Sequence, residues 1–314
     1  MKEFFVKVVQ FLLLDFLFLS PVILVGVIGL AIYFRARLKT IWQKTIVLIV
    51  ITILLLTIWG VHIERQMITI TNQTINLGFQ ARIAVISDTH LGLWKNQNYL
   101  TQVIEKINQI PNLDAVLIPG DWTYYPDIKQ LDTIFAPLAQ SKYPVYGVLG
   151  NHDVERPGPN LRDELAVALE KNKVTLLNNK ILTKEATGLK FNITGLGDRW
   201  GGEDYVNIMN SQEGAKTIAI THNPETILKY KSLTETNQPA LTVTGHTHCG
   251  QVRIPLIYKL AIPVDNKDFD KGLFNNSQFN PDLTGQLWIS CGVGEVGLPI
   301  RLFNPPSIDI LTIN

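Results

Sequence analysis

The sequence predicts an α/β layered fold behind an N-terminal pair of membrane-spanning helices. Three observations predict it. Apolar residues crowd into the first sixty-odd of the 314 residues. From about Met67 onward, apolar runs of strand length alternate with stretches of helical periodicity. Five polar clusters each begin where one of those runs ends.

The membrane segments come first. Phe11 to Phe34 reads FLLLDFLFLSPVILVGVIGLAIYF, and Ile46 to Trp59 reads IVLIVITILLLTIW. The first run exceeds the roughly 20 residues needed to cross a bilayer core, and the second reaches that length with Trp42, Thr45 and Val61–Ile63. A cleaved signal peptide has one short apolar region and a small-residue cleavage site, which two long runs around a basic loop do not match. Asp15 is costly at mid-bilayer, so the first span is expected to start near Phe16, with Asp15 at the interface. Arg35, Arg37, Lys39 and Lys44 populate the connecting loop, against Lys2 and Lys7 before it and Arg65 after it. The positive-inside rule then places the loop in the cytoplasm and both ends of the chain outside. Two units follow: a membrane anchor over residues 1–66 and a catalytic domain over residues 67–314.

The rest is long enough to bury a sizeable core. A formal net charge of +1 gives no sign of a nucleic-acid surface. Strands are expected at Ile83–Ser87, Ala115–Pro119, Val145–Leu149, Thr217–Thr221 and Leu241–Thr244. Helices are expected at Asn98–Ile110, Ile128–Ala139 and Leu161–Lys171. Such alternation argues for layers of helix and sheet. Gln286–Ser290 and Ser307–Ile313 add β-rich sequence. Ala261–Phe279, rich in Asn and Asp, reads as a surface excursion. The two cysteines, Cys249 and Cys291, are too few for a disulfide framework or a structural zinc site.

The five clusters carry the chemistry. They are Asp88-Thr89-His90, Gly120-Asp121, Gly150-Asn151-His152-Asp153, Thr221-His222-Asn223 and Gly245-His246-Thr247-His248. Five of the six histidines fall inside them; His62 lies at the membrane boundary. In an open α/β sheet the carboxyl ends of the strands form the ligand crevice, so the clusters can converge. Glycines before Asp121, Asn151 and His246 permit a sharp exit from each strand. Taken singly the motifs are weak, since an Asp after a strand is commonly a cap or turn residue. Together and in order they have no ready packing explanation. Two carboxylates, an amide oxygen and several imidazoles suit Mn, Fe or Zn better than Ca. Seven candidate ligands, Asp88, His90, Asp121, Asn151, His222, His246 and His248, are too many for one ion. They are about right for two divalent ions sharing a bridge, for which Asp121 is the natural candidate. Two ions about 3.5–4 Å apart can activate a water and clamp the attacking and leaving oxygens.

With these motifs the sequence resembles the calcineurin-like metallophosphoesterases, whose signature is Asp-x-His, Gly-Asp, Gly-Asn-His-Asp/Glu, a lone His and Gly-His-x-His. The match runs from about Arg82 to the C-terminus. GQVRIPLIYKL and ISCGVGEVGLPIRLFNPPSI look like the bacterial membrane-anchored branch, which is similar to phosphodiesterases and UDP-2,3-diacylglucosamine hydrolases. The resemblance implies a layered β-sandwich core flanked by helices. It implies one metal at Asp88, His90, Asp121 and His248, and a second at Asp121, Asn151, His222 and His246. His152 would protonate the leaving alkoxide or stabilise the phosphoryl charge, with Asp153 orienting it. A hydroxide between the ions would attack phosphorus in line. Trp122-Thr123-Tyr124-Tyr125 stands where many relatives carry an acid, which puts support from that segment in doubt. Cys249 replaces a common glycine and reads as a small residue that fits. Arg199, in Gly197-Asp198-Arg199, is a candidate phosphate contact.

The expected function is hydrolysis of phosphate esters: a phosphodiesterase or pyrophosphatase acting on a membrane-associated or lipid-linked substrate. The alternatives are a phosphatase for a soluble substrate with the anchor serving location only, and a catalytically degenerate membrane scaffold. The complete ligand set plus His152 argues against the scaffold. A cytoplasmic nucleotide-linked lipid conflicts with the outward placement from the loop charges.

Overall fold

The computed structural model describes residues 2–186, 189–211 and 216–314. Two long helices open the chain: α1 (Lys2–Tyr33) and α2 (Ile41–Ile58). Thr40 and Gln43 close a reciprocal capping box that starts α2. Their apolar side chains point outward: Val25 is 72% exposed, Leu30 60% and Leu48 63%. Both helices are long and apolar enough to cross a membrane. Asp15 is exposed on α1.

Fourteen strands follow among the described residues. They are β1 (Thr69–Ile75), β2 (Ala81–Val85), β3 (Leu91–Gly92), β4 (Ala115–Pro119), β5 (Thr123–Tyr124), β6 (Val145–Val148), β7 (Val174–Leu176), β8 (Lys180–Ala186), β9 (Leu189–Gly195), β10 (Lys216–Ile220), β11 (Leu241–Thr244), β12 (Gly272–Asn275), β13 (Gln286–Ile289) and β14 (Ser307–Ile313). One sheet runs β1-β14-β2-β4-β6-β7, the other β12-β13-β11-β10-β9-β8, and β3 pairs with β5 in a short ribbon. The expected strands are present to within two residues at each end.

The sheets stack face to face. Ile83, Val85, Leu117 and Val148 from the first sheet meet Ile193, Ile218, Ile220 and Val243 from the second. Along β2, Ala84 points the other way and, with Ile86 just beyond the strand, joins the core under the helices. This alternation places the strand between two hydrophobic layers. The outer face of the first sheet is covered by α3 (Gln97–Asn108), the single turn α4 (Leu131–Ile134) and α5 (Arg162–Lys171). Asn96 caps α3, and Tyr99, Leu100, Val103, Ile104 and Ile107 form its buried stripe. Two sheets with flanking helices give the expected sandwich architecture.

Two expectations need correcting. Ile128–Ala139 is not one helix, because Pro137 lacks an amide donor and the segment breaks into α4 between 3-10 turns. Nor is Ala261–Phe279 a surface excursion. Ile262, Val264 and Phe269 are buried in a third core beneath the second sheet, and the segment supplies β12. Its Asn and Asp residues satisfy turns while its spaced apolar residues pack.

The end of the helical pair is joined to the sheets by a buried polar seam. Glu64 accepts from the Asn304 amide at 2.5 Å and from Trp59 Nε1 at 2.7 Å. Asn304 Nδ2 in turn donates to the carbonyl of His248 at 2.8 Å. Arg301 N donates to Gly60 O at 3.2 Å. A Cβ on Gly60 would lie 2.7 Å from the Arg301 carbonyl, so this approach requires glycine.

Candidate metal centre

The five polar clusters lie at the carboxyl ends of β2, β4, β6, β10 and β11, and their side chains converge. Two open half-sites result. In the first, His90 Nδ1 faces the carbonyl of Thr123 at 3.2 Å. A carbonyl only accepts, so that nitrogen carries the proton and Nε2 presents a lone pair. The His90 Nε2 lies 3.0 Å from His248 Nε2 and 3.4 Å from Asp121 Oδ2, while His248 Nε2 is 3.5 Å from Asp88 Oδ1. In the second, His222 Nδ1 faces Pro119 O at 2.9 Å and His246 Nε2 faces Pro263 O at 2.9 Å. Their other nitrogens are 3.1 Å apart. His222 Nε2 also lies 3.0 Å from Asn151 Oδ1 and 3.2 Å from Asp121 Oδ2. In both halves, atoms that accept rather than donate are aimed at one another. A cation between them satisfies that arrangement, and Asp121 is common to both halves.

The electrostatics agree. Burial holds His90 and His246 down to about 3, and His248 well below the usual imidazole range. These are the neutral, ligating forms. Burial would also lower His222, but the Asp121 carboxylate, aided by Asp88 and Asp198, lifts it to about 10. That proton stands in for a cation. Burial would raise Asp121, yet His222 and His152 keep its carboxyl well below the usual range. Asp88 is pushed up to about 6 by burial against the pull of His222.

Backbone strain marks the same residues. Asp88, His90, Asp121, His246 and His248 all have φ between 43° and 69°. Left-handed backbone costs a non-glycine residue about 1–3 kcal/mol, and persists where the surroundings fix it. Glycine at these positions would relieve the strain but remove the donor. The neighbouring glycines act mainly by absence of a side chain. A Cβ on Gly150 would fall 2.2 Å from Asp121 Oδ1, and one on Gly245 would fall 2.3 Å from Asp88 Oδ2. Gly120 alone of the three needs a positive φ, 93°.

Residues 81–250 match the model of the calcineurin-like phosphoesterase family. The chain belongs to that family. It is 28% identical over 265 residues to the uncharacterized metallophosphoesterase YkuE of Bacillus subtilis, covering 80% of this chain and 87% of that protein. It is 30% identical over 248 residues to the uncharacterized metallophosphoesterase Cj0846 of Campylobacter jejuni, covering 76% of this chain and 60% of the relative. It is 26% identical over 237 residues to phosphodiesterase YaeI of Escherichia coli, covering 74% of this chain and 82% of the relative. The protein is therefore a metal-dependent phosphoester hydrolase, and its fold delivers residues able to hold metal where the family's motifs fall.

His152 sits over the centre. Its ring meets His90 edge to face at 4.9 Å and Tyr124 at 5.5 Å. One of its nitrogens lies within 4.8 Å of donor atoms of His90 and Asp121.

Three expectations change here. Asp153 does not orient His152. Its oxygens accept from the amides of Gly150, Trp122 and Thr123 and from Thr123 Oγ1, at 2.9–3.2 Å. A buried carboxylate finds those fixed donors at shorter reach than the ring of its neighbour, and so ties the second and third ligand loops together. The segment after Asp121 does support the centre, through the Thr123 carbonyl on His90. Arg199, the candidate phosphate contact, also has an ion-pair neighbour in buried Asp204 at 3.8 Å, and Lys229 shares that carboxylate. Cys249 is more than a small residue that fits: it is disulfide-bonded to Cys291, with Cα atoms 4.9 Å apart, tying the His248 loop to the end of β13. Two residues went unrecognised in the sequence. Trp200 stands edge-on to His246 at 4.7 Å, and Tyr124 walls the His90 side; aromatic neighbours of a polar site have no signature of their own.

Proposed function

We propose that the protein is a membrane-anchored phosphodiesterase with two divalent ions, acting outside the cytoplasm on a membrane-associated or lipid-linked phosphodiester. The carrying observation is the pair of half-sites whose imidazole, carboxylate and amide ligand atoms face each other across the shared carboxylate of Asp121. Asp88, His90, Asp121 and His248 would hold one ion, and Asp121, Asn151, His222 and His246 the other; Mn, Fe and Zn fit the donors. Two such ions supply an activated water and neutralise charge on the phosphoryl oxygens.

The chain's own residues do the rest. Thr123, Pro119 and Pro263 carbonyls fix the tautomers of His90, His222 and His246. The main-chain amide of His152 donates to Asp121 Oδ1 at 3.0 Å and so orients the shared carboxylate. His152, in its imidazolium form, gives a proton to the departing alkoxide as the bond from phosphorus to that oxygen breaks and is left as neutral imidazole. Tyr124 and Trp200 wall the opening.

The outward placement is supported by the basic loop and by the disulfide, since such bonds persist in oxidising compartments. The diester reading is supported by the likeness to the protein named phosphodiesterase YaeI. The lipid-linked reading is supported by the seam that joins Glu64 to the His248 loop. The test is a comparison of bis(p-nitrophenyl) phosphate, p-nitrophenyl phosphate and a phospholipid diester in mixed micelles, with purified full-length protein and added Mn. Preference for the diesters supports the reading; turnover of the monoester alone would overturn it.

A further inference from the structure

The chain from Gln251 to Ala261 is built inside out. Two of its polar side chains turn inward, while Lys259 stays outside beside Asp268: Arg253 reaches the Cys249 carbonyl at 2.8 Å and pairs with Asp270 at 2.6 and 3.0 Å. Tyr258 donates to the same carboxylate at 2.8 Å and lies under the Arg253 guanidinium. Its apolar side chains turn out: Ile254 is 41% exposed, Leu256 97%, Ile257 53% and Leu260 82%. Phe303, on the adjoining segment, is 55% exposed. Leu256 and Phe303 also hold left-handed backbone, with φ of 73° and 58°. A bulky residue so placed is a genuine outlier, and here the strained backbone brings no buried contact in return. Exposed apolar side chains scattered singly need no explanation; five on one continuous strip do.

The strip continues the anchor. Val252 bridges to Leu302, and Arg253 N donates to Leu302 O at 2.8 Å. On the other side of that segment, Arg301 N meets Gly60 O, and Asn304 N meets Glu64 Oε1. One extended segment thus separates the exposed side chains from the residues where α2 ends. The far side of the centre is at the same level: Trp94 packs on Phe18 of α1 at 6.4 Å and donates to Gly297 O, while Gly297 N donates to Tyr124 Oη. Both ends of the loop touch the centre, Cys249 beside His248 and Pro263 on His246.

We propose that Ile254, Leu256, Ile257, Leu260 and Phe303 form a lip that inserts into the bilayer holding α1 and α2, seating the metal centre at the lipid surface. This rests on the membrane-anchored reading. Apolar side chains on an amphipathic surface lie at the boundary of headgroups and acyl chains, and the inward Arg253, Tyr258 and Asp270 keep the polar face on the protein. Phosphodiesters of membrane lipids then arrive at the centre from the side.

The test is a nitroxide depth measurement on the full chain in bilayers, with Cys249 and Cys291 oxidised. Labels are placed singly at Leu256→Cys and Leu260→Cys. Val25→Cys in α1 reports the bilayer interior. Val167→Cys, 65% exposed on α5 over the outer face of the first sheet, reports water at another exposed apolar position. Collisions with oxygen should exceed those with a water-soluble nickel chelate several-fold at 25, 256 and 260, and the reverse should hold at 167. Labels at 256 and 260 that behave like 167, while 25 reads hydrocarbon, would overturn the lip alone. Nickel access at 25 would overturn the anchor as well. Exclusion of both reagents at 256 would mean that protein covers the loop, and would also overturn the lip.

Discussion

Gly150→Ala isolates the packing of the ligand loops from their chemistry. Gly150 has φ −105° and ψ −179°, extended backbone that alanine adopts freely, so the substitution adds no backbone strain. What it adds is one methyl group 2.2 Å from Asp121 Oδ1 and 2.4 Å from Asp121 N. Ordinary contact begins at 3.4 Å, so the loops must part by 3.4 − 2.2, or 1.2 Å. The obstacle includes backbone, and Asp121 Oδ1 is already held by the His152 amide at 3.0 Å, so a side-chain rotation does not resolve the clash. Overpacking of this kind costs about 1–3 kcal/mol. A displacement near 1 Å at a catalytic group costs roughly 100-fold in rate. The variant should therefore fold with a modestly lowered Tm, hold fewer ions per chain, and lose about two orders of magnitude in kcat/KM on bis(p-nitrophenyl) phosphate. Gly201→Ala is the control, because its Cβ would meet Asp198 Oδ2 at an ordinary 3.4 Å. Metal content and activity of Gly150→Ala within a few-fold of the parent protein would refute the proposed placement of Asp121 between the half-sites.

Other perturbations test separate parts. His152→Ala should keep its metal and slow a diester with an alkoxide leaving group by roughly two to four orders of magnitude, with far less loss on a nitrophenolate; lost metal, or equal loss on both substrates, would make His152 a ligand instead. Because burial lifts Asp88 to about 6, its proton should begin to compete with metal as pH falls through that value, so dialysis at pH 5 should strip ions retained at pH 8; unchanged metal content at pH 5 would contradict this. A reporter fused after Asn314 should read extracytoplasmic and one inserted at Leu38 cytoplasmic, with Cys249 and Cys291 blocked to alkylation until reduced; the reverse reporters or free thiols would turn the domain inward.

Much of the centre was legible because strand-end motifs name their own position. Asp88, Asp121, Asn151, His222 and His246 each follow an apolar run, and the sheet order brings those runs together. The two long N-terminal helices were legible for a similar reason, since length and apolarity are local properties of the sequence. What stayed hidden depends on partners distant in the chain. The four donors of Asp153 lie in two loops that only the fold juxtaposes, so proximity in sequence pointed to His152. Cys249 and Cys291 are 42 residues apart and meet only because β11 and β13 are neighbours. Ala261–Phe279 looked like a polar excursion because its buried Ile262, Val264 and Phe269 are too few and too widely spread among Asn and Asp to sustain a helical or strand period. The exposed face of Ile254–Leu260 was equally silent: apolar letters do not say which way they point.

The central claim is that two ions share Asp121. The direct measurement is metal per chain, by elemental analysis of full-length protein, read beside diesterase activity before chelation, after chelation and after reloading. About two ions per chain, activity lost with them and regained on reloading, and loss of both ions in Asp121→Ala against loss mainly of one in His248→Ala are the expected results. A chelated protein free of metal that still hydrolyses diesters at its full rate would contradict the account. So would an Asp121→Ala variant that keeps both ions.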